Sequence, residues 1–381
     1  MMPCPVCGSR EAEELPPPHP FRSATSGLTL LKAPLKRMQC LSCGLGRNGG
    51  QALGSKTAFY RENYGLYHHR PGTAASETER YDAMAVWMLS ELGEFKPASV
   101  LDFGCGGGLL LDALRRARPT LLCAGLDPSI TNTEAARARG FTVATGSVPG
   151  IEDLFEGSCD LAVASNVISH ILDPRAFLAA MLSTIAPGGR LLIYGHNGDA
   201  AGADLLWTDI EYSLCREHLV SIAAKVGLEH INPQMAEPPP GQSDKYVLVF
   251  KQSDAQPAAA ALSQERRDAL LEERRSYFAA WQELARRLAQ VNSQPPLLNF
   301  GASFWSATLA IYCPQYWGRV EACVVDDGDP GEFFDKPVMS TDSIEPGSTI
   351  VLGTNPATHQ VLAKRLSRLG NVVAWDDLIK R

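Results

Sequence analysis

Short apolar runs alternate with helical stretches from Val100 onward. The runs are VLDFG, LLCAGLD, FTVATG, DLAVAS and RLLIYG, and segments such as LLLDALRRA and AFLAAMLSTI separate them. Each run is continuously apolar, which is typical of parallel strands that are buried on both faces. Strands that alternate with helices in this way predict an α/β sheet with crossover helices.

A second, smaller set of strands follows a long amphipathic helix. Apolar residues recur at three- and four-residue intervals over residues 270–291, amid many glutamates and arginines. The segments PLLNFGAS, VEACVVDDG, STIVLGTN and NVVAWDDL then have the pattern of strands, and residues 359–369 that of a helix. We therefore expect a compact C-terminal α/β domain.

Changes in composition divide the chain into three predicted domains. Small and polar residues interrupt the apolar pattern around 49–56 and 252–261. A chain of 381 residues is also longer than one hydrophobic core usually serves. We predict an N-terminal module at 1–56, a core domain at 57–252, and the long helix with the C-terminal domain at 253–381.

Charge and hydropathy narrow the range of partners. The chain has 35 Lys and Arg against 42 Asp and Glu, a net charge of −7, which lacks the basic surface that nucleic-acid binding requires. It shows no secretion signal and no stretch near the roughly 18 apolar residues of a membrane span. We expect a cytoplasmic protein that binds a small molecule, has no nucleic-acid or membrane partner, and can form a homo-oligomer.

Two Cys-x-x-Cys-Gly pairs lie near the start of the sequence. Cys4 and Cys7 form one pair, and Cys40 and Cys43 form the other. A two-residue spacer lets both thiolates reach one ion, and four sulfurs complete a tetrahedral zinc site with no open position. We therefore predict a structural Zn2+, with four free thiols or a redox pair as the alternative.

A predicted strand leads into a glycine-rich turn. Gly104, Gly106 and Gly108 follow Asp102, and such glycines let the backbone approach a ligand where helix-terminal amides point outward. Leu109 stands where the dinucleotide-binding fingerprint has glycine. The acidic residue suits a ligand with a cationic amino-acid end better than a pyrophosphate.

This turn resembles motif I of class I S-adenosylmethionine (SAM) methyltransferases. Asp127 follows at the end of the next strand and is predicted to accept hydrogen bonds from the ribose hydroxyls. The resemblance implies that Ser147 lies beside the adenine and that Ser165, at the end of the fourth strand, closes the pocket. His170 stands where the family often has histidine, and we interpret it as packing over the cofactor edge.

The three predicted domains, in this order, resemble the zinc-containing sugar C-methyltransferases, which act on nucleotide-linked deoxysugars. Residues 34–45 match the second cysteine pair of that family, and residues 59–67 resemble the tyrosine-bearing mouth of its active site. By this resemblance Tyr64 is predicted to cover the cofactor. The C-terminal domain of the family is resembled by residues 299–309, 324–327 and 353–355.

The sequence departs from that family at two places. The family has a glutamate–histidine pair whose histidine is the base that removes a proton beside a ketone, and Ile210 or a neighbour stands there in this chain. In the C-terminal domain, Phe304 and Trp305 replace a lysine-glycine pair. We interpret these two aromatic residues as core or interface residues.

Other residues are therefore considered for acceptor chemistry. His196 directly follows the fifth strand, where ligands of open α/β sheets bind, although a loop role is equally consistent with the sequence. Glu211 and Tyr212, with Asp209, are candidates to orient a substrate. His218 is a candidate base within a predicted helix at 216–226, with simple packing as the alternative.

These observations predict an enzyme that transfers a methyl group from SAM to a small molecule. The acceptor is expected to be a sugar or another intermediate of natural product biosynthesis, methylated on carbon by family resemblance. One alternative is an O- or N-methyltransferase of a secondary metabolite. Another is a non-catalytic SAM-binding or scaffold protein, because the usual base is missing, and a nicotinamide dehydrogenase is a more distant third. The predicted cofactors are SAM and Zn2+.

Overall fold

The computed structural model describes residues 3–50, 59–61, 74–146, 158–255, 260–291, 296–326 and 331–379. The chain divides into two compact units. One comprises Met1–Leu15, Lys36–His69 and Ala74–Arg274, and the other Pro16–Leu35, Arg70–Thr73 and Arg275–Arg381. Both cysteine pairs therefore belong to the same unit as the main sheet. The domain boundaries near residues 56 and 252 stay predictions.

Five short strands lie in the N-terminal segment. They are β1 (Ala12–Leu15), β2 (Ser23–Ala24), β3 (Leu30–Leu31), β4 (Arg37–Cys40) and β5 (Gly46–Asn48). Strands β2 and β3 pair with each other, whereas β1, β4 and β5 belong to a four-stranded sheet that is completed by β11 (Tyr212–Ser213). The cysteine segment is thus joined to a strand far along the chain.

The larger unit is built on a seven-stranded sheet. Its strands are β6 (Ser99–Phe103), β7 (Leu122–Asp127), β8 (Thr142–Thr145), β9 (Cys159–Ser165), β10 (Ile185–His196), β12 (Leu228–His230) and β13 (Lys245–Gln252), in the order β12-β13-β10-β9-β6-β7-β8. Strand β13 is antiparallel to β10 and β12, and the other pairs are parallel. The order reverses between β6 and β9, and open sheets bind ligands beyond the strand ends at such a point.

The described part of this unit contains helices α1 (Ala74–Glu91), α2 (Leu109–Ala117), α3 (Ile130–Ala138), α4 (Pro174–Ser183) and α5 (Arg216–Ala224). Asp173 caps α4 by accepting from the amides of the next turn, and Pro174 occupies the first helical position. Successive strand residues enter different cores: Leu101 and Ile193 lie in one, and Val100 and Leu192 in the other. The sheet is therefore buried on both faces, as the continuous apolar runs predict.

The second unit contains a six-stranded sheet. Its strands are β14 (Leu297–Phe300), β15 (Ala322–Val325), β16 (Gly331–Phe333), β17 (Lys336–Ser340), β18 (Ser348–Leu352) and β19 (Gly370–Ala374), in the order β16-β17-β15-β14-β18-β19. Helix α6 (Gln264–Ala289) precedes them, and α7 (Phe304–Tyr312), α8 (Pro314–Arg319) and α9 (His359–Leu366) connect them. Strand β16 is antiparallel to β17, and the other strand pairs described in this sheet are parallel.

The predicted fold class is confirmed, with corrections in detail. Both α/β sheets form, but β12, β13 and the β16–β17 hairpin are not among the strands predicted from the sequence. Residues 186–189 lie within β10, where the register shifts between Ile185 and Arg190. Trp305 stacks on Trp281 with ring centroids 6.5 Å apart, consistent with a packing role. Over the residues described, no helix has the length and apolar character that crossing a membrane requires.

Candidate functional site

The four predicted metal ligands lie together. Their Sγ atoms are all within 4.8 Å of one another, and they belong to Cys4, Cys7, Cys40 and Cys43. Gly8 and Gly44 each follow a pair with φ near +80°, and their amides donate to the carbonyls of Cys4 and Cys40 at 2.8 Å. Each pair thus forms a tight turn that directs both sulfurs to one point, and the donor set fits a tetrahedral Zn2+.

Electrostatics in this cluster also favour a cation. The hydrogen bond with Cys40 raises the pKa of Cys4 to about 12, whereas bonds from Cys4 and Cys43 hold the pKa of Cys40 far below its ordinary value. Four thiols at this separation therefore cannot all ionise easily. A divalent cation removes that obstacle, because it stabilises every thiolate that it binds.

The cofactor side of the candidate site begins with Asp102 on β6. This residue is 1% exposed, and its Oδ1 has no hydrogen-bond partner among the described residues. Burial, with a smaller contribution from the charge of Asp127, raises the pKa of Asp102 to about 8. A buried carboxylate oxygen without a partner is costly, so a cationic group of a ligand would satisfy it.

Asp127 ends β7, the neighbouring strand. Its Oδ2 accepts from the Gly106 amide at 3.0 Å, and its Oδ1 accepts from the Ser129 amide at 2.8 Å and from Asn132 Nδ2 at 3.3 Å. These bonds hold the carboxylate in one orientation without using all of its lone pairs. It therefore keeps acceptor capacity for a pair of ligand hydroxyls. Burial raises the pKa of Asp127 as well.

The three glycines of the turn serve different purposes. All have positive φ, at 81° for Gly104, 52° for Gly106 and 81° for Gly108. A Cβ at Gly104 would lie 2.4 Å from Val167 Cγ2, and one at Gly108 would lie 3.2 Å from Ala136 Cβ. At Gly106 no described atom lies within 4 Å of that position. Gly106 thus borders open space in which a ligand can approach the backbone.

The remaining predicted cofactor residues have less support. Ser165 ends β9, and its Oγ lies 4.0 Å from Met84 Sδ. Asn166 follows with φ of 56°, a left-handed conformation that is uncommon outside glycine and frequent at functional sites. Ser147 and Tyr64 lie outside the described residues, so their roles stay predictions.

A polar cluster beyond β9 brings together residues that the sequence does not place side by side. Tyr60 Oη lies 2.8 Å from His170 Nδ1, which lies 3.4 Å from Asp209 Oδ2. The Asp209 side chain is 0% exposed and that of His170 is 12% exposed. His170 is thus more than a packing residue. A histidine beside a buried carboxylate can take a proton, because the carboxylate stabilises the imidazolium.

His196 belongs to a second polar cluster, at the end of β10. The antiparallel pairing of β10 and β13 sets Lys245 opposite His196. Lys245 Nζ lies 2.6 Å from His196 Nε2, and Asp244 Oδ2 lies 3.1 Å from His196 Nδ1. Burial lowers the pKa of Lys245, although Asp244 opposes the shift. The sequence pattern did not predict strand β13, so it gave no sign that Lys245 lies beside His196.

Glu211 and Tyr212 donate hydrogen bonds to backbone carbonyls near His170. The Glu211 amide donates to Ser169 O at 2.7 Å, and Tyr212 Oη donates to Leu172 O at 2.9 Å. Tyr212 is buried, and this burial raises the pKa of its phenol. The Tyr212 hydroxyl thus holds the loop after β9, and the roles of Glu211 and Tyr212 in orienting a substrate stay predictions.

His218 is also held by the backbone. It is 2% exposed, Nδ1 accepts from the Cys215 amide at 3.1 Å, and Nε2 lies 2.8 Å from Cys43 O. Burial lowers its pKa to about 4. Both ring nitrogens contact the backbone, which favours the packing alternative between α5 and the cysteine cluster, and a role of His218 as base stays a prediction.

Comparisons with known proteins give matches to the part of the chain that contains the glycine turn and the two carboxylates of the cofactor side. Residues 68–232 match a family model described as a methyltransferase domain. The ubiquinone biosynthesis O-methyltransferase of Xanthomonas euvesicatoria pv. vesicatoria is 32% identical over 127 residues, covering 31% of this chain and 52% of that protein. That of Xanthomonas campestris pv. campestris is 32% identical over 119 residues, covering 30% and 50%.

Solved structures give a weaker likeness. An S-adenosylmethionine-dependent methyltransferase from Clostridium acetobutylicum is 13% identical, with a TM-score of 0.36, and the match covers 45% of this chain and 92% of that one. This chain spans about half the length of the curated relatives that it matches.

The matched segment contains the structural features that the cofactor motif predicts. It includes the glycine turn after β6, the carboxylates of Asp102 and Asp127, and the reversal of strand order between β6 and β9. The sequence match indicates a methyltransferase domain over residues 68–232, and this segment contains the turn and carboxylates that the cofactor motif predicts.

Proposed function

We propose that the whole protein is an enzyme that transfers the methyl group of SAM to a small-molecule acceptor, with the acceptor beside His170. The observation that carries the proposal is the unpartnered buried oxygen of Asp102, at the same edge of the sheet as the Tyr60–His170–Asp209 cluster. The end of β6, with Asp102, suits a cationic cofactor. The segment after the neighbouring strand β9, with His170, suits proton removal.

The chain's own residues would hold the cofactor as follows. The Asp102 carboxylate suits the amino group of the methionine end, and Asp127, which the Gly106 amide orients, suits the ribose hydroxyls. Bound SAM supplies an electrophilic methyl group on a sulfonium. Gly106 leaves room for close approach to the backbone, so the protein's main task is alignment of acceptor and methyl group.

The acceptor side would manage a proton. An acceptor hydroxyl, or a carbon beside a ketone, loses a proton as it is methylated. The imidazole of His170 can hold that proton, because the buried Asp209 carboxylate lies 3.4 Å from its Nδ1. Tyr60 orients the ring through its 2.8 Å contact with the same nitrogen.

We further infer that the acceptor is a sugar or a related natural-product intermediate, methylated on carbon. The four-cysteine cluster and the resemblance of residues 34–45 to sugar C-methyltransferases support this. A second candidate is an oxygen acceptor, which the similarity to ubiquinone biosynthesis O-methyltransferases favours. Solvent deuterium incorporated at an acceptor carbon without SAM would indicate the first, and methylated product without such exchange the second.

The test is transfer of labelled methyl from SAM to a panel of nucleotide sugars and phenols. We expect product with the wild-type protein, and binding of S-adenosylhomocysteine (SAH) that calorimetry detects. No binding of SAM or SAH would refute the proposal. Binding without transfer to any acceptor would instead favour the non-catalytic alternative, in which the fold only binds the cofactor.

A further inference from the structure

We infer that Arg37 is a positioning residue, which sets the backbone around Asp209 from the strand that also carries Cys40. The inference rests on the proposed function only in giving Asp209 a part in the reaction. Arg37 begins β4, and its side chain is 2% exposed although it carries a permanent charge. A buried guanidinium is tolerated only where its donors are satisfied.

The Arg37 guanidinium donates hydrogen bonds to backbone carbonyls of residues 204–210. Nε donates to Leu205 O at 3.0 Å, Nη1 to Ile210 O at 2.5 Å, and Nη2 to Asp204 O at 3.1 Å. Nη2 also donates to Trp207 O. A guanidinium presents its N–H groups in a rigid planar fork, so one side chain gathers these four carbonyls into a single arrangement.

A second side chain holds the same stretch from β5. Asn48 Nδ2 donates to Thr208 O at 2.7 Å, and its amide donates to Glu211 O at 2.8 Å. Asn48 and Arg37 therefore hold the carbonyls of the residues on either side of Asp209. Strands β5 and β11 extend this attachment, with Arg47 opposite Tyr212.

By holding the carbonyls around Asp209, Arg37 and Asn48 fix the distance between Asp209 and His170. The Asp209 carboxylate stabilises a proton on His170 only while the 3.4 Å separation is kept. A misplacement of about 1 Å in a catalytic constellation can cost about 100-fold in rate. We call residues 204–212 the acceptor segment. The small sheet β1-β4-β5-β11 thus links the cysteine cluster at one end of β4 to this segment at the other. Its function is to support the acceptor side, besides holding its own residues together.

The experiment compares Arg37→Lys with Arg274→Lys. Arg274 is equally buried in the same unit. It donates to Gln39 Oε1 and Gly44 O, both at 2.7 Å, and to Gly198 O at 3.3 Å, and all three acceptors lie outside residues 204–212. Lysine keeps the charge and loses the fork. Amide hydrogen exchange is followed over 204–212 and over 99–146, together with kcat and the Kd for SAH.

We expect Arg37→Lys to raise exchange over 204–212 by about 10-fold or more while 99–146 is unchanged. The value of kcat should fall by roughly 10- to 100-fold, with the Kd for SAH within about twofold of wild type. The KM for the acceptor is measured as a further quantity and should stay within about threefold of wild type, because a general loss of folded structure would weaken acceptor binding as well as kcat. Arg274→Lys should leave exchange over 204–212 at the wild-type level.

Unchanged exchange over 204–212 in Arg37→Lys would overturn the inference, as would an equal rise in Arg274→Lys. If Arg37→Lys does not fold, Asn48→Ala carries the test, with an expected rise of about threefold over the same residues. Hydrogen exchange needs no turnover. Failure of the proposed function would therefore appear as absent methyl transfer in the wild type, with the exchange difference still present.

Discussion

The cofactor side and the acceptor side of the candidate site are assembled in different ways. Asp102, the glycine turn and Asp127 lie close together in sequence, on two neighbouring strands joined by one helix. Tyr60 is 110 positions from His170 and 149 from Asp209. The first side depends on local backbone geometry, whereas the second depends on long-range contacts such as those of Arg37. A local motif can therefore identify the cofactor without identifying the reaction.

The largest expected effect separates chemistry from cofactor binding. In His170→Gln the side chain still forms hydrogen bonds but cannot take a proton, so kcat/KM should fall about 10²- to 10⁴-fold. The Kd for SAH should stay within about twofold of wild type, because cofactor contacts are untouched. Steady-state kinetics and calorimetry measure the two quantities. A larger loss in His196→Gln than in His170→Gln would instead place the base in the Lys245 cluster.

The second prediction concerns the stability of the cofactor-free protein. Because the pKa of Asp102 rises from 3.8 to about 8 in the folded state, folding favours its protonated form. The contribution of Asp102 to the free energy of unfolding is fully present below pH 4 and is lost as the pH rises through 8. In the wild type the unfolding free energy should fall over this range, by on the order of 2–5 kcal/mol from this residue.

Urea titrations of wild type and Asp102→Asn across pH 4–8.5 measure that contribution. The variant should show a flatter profile and be the more stable of the two at pH 8. Equal slopes for the two proteins would mean that the carboxylate is not buried without a partner, and the assignment of a cationic ligand to it would lose its basis.

The third prediction concerns cofactor affinity. Asp102→Asn should weaken SAH binding by about 10- to 100-fold, because a charge-assisted hydrogen bond is replaced by a neutral one. Asp160→Asn is the matched control. Its carboxylate also lies on the main sheet, but it accepts from the Ala98 and Ser99 amides, before the start of β6 and at its first residue. Calorimetry should find wild-type affinity in this control, and equal weakening in both variants would indicate a general loss of folding.

The last prediction distinguishes two glycines of the turn by a difference of about 1–3 kcal/mol in unfolding free energy. Gly104→Ala places a methyl group 2.4 Å from Val167 Cγ2 and also forces alanine into positive φ, so it should cost about 2–4 kcal/mol of unfolding free energy. Gly106→Ala meets open space and should cost only about 1 kcal/mol, while reducing SAH affinity more. Thermal unfolding and calorimetry would contradict this if the order of the two stability losses were reversed.

Several features could be predicted from the sequence because they are local. The apolar runs predict β6 to β10, the cysteine spacing predicts the converging thiols, and the glycine pattern predicts the turn. Strand β13 was not predicted, and with it Lys245 was missed, since pairing with β10 is a long-range property. His218 looked available for catalysis because the sequence does not show that Cys215 and Cys43 occupy its ring.

The sequence by itself determined the α/β class and the spacing of the four cysteines, and it predicted the type of cofactor. Each depends on residues a few positions apart, for which backbone conformation and side-chain period are decisive. Tertiary structure decided which polar residues meet beyond β9. The Tyr60–His170–Asp209 cluster forms where segments distant in sequence meet, and Arg37 donates to carbonyls about 170 positions away in the segment that contains Asp209. Chain folding sets such distances through contacts among many residues, and no short stretch of sequence contains them.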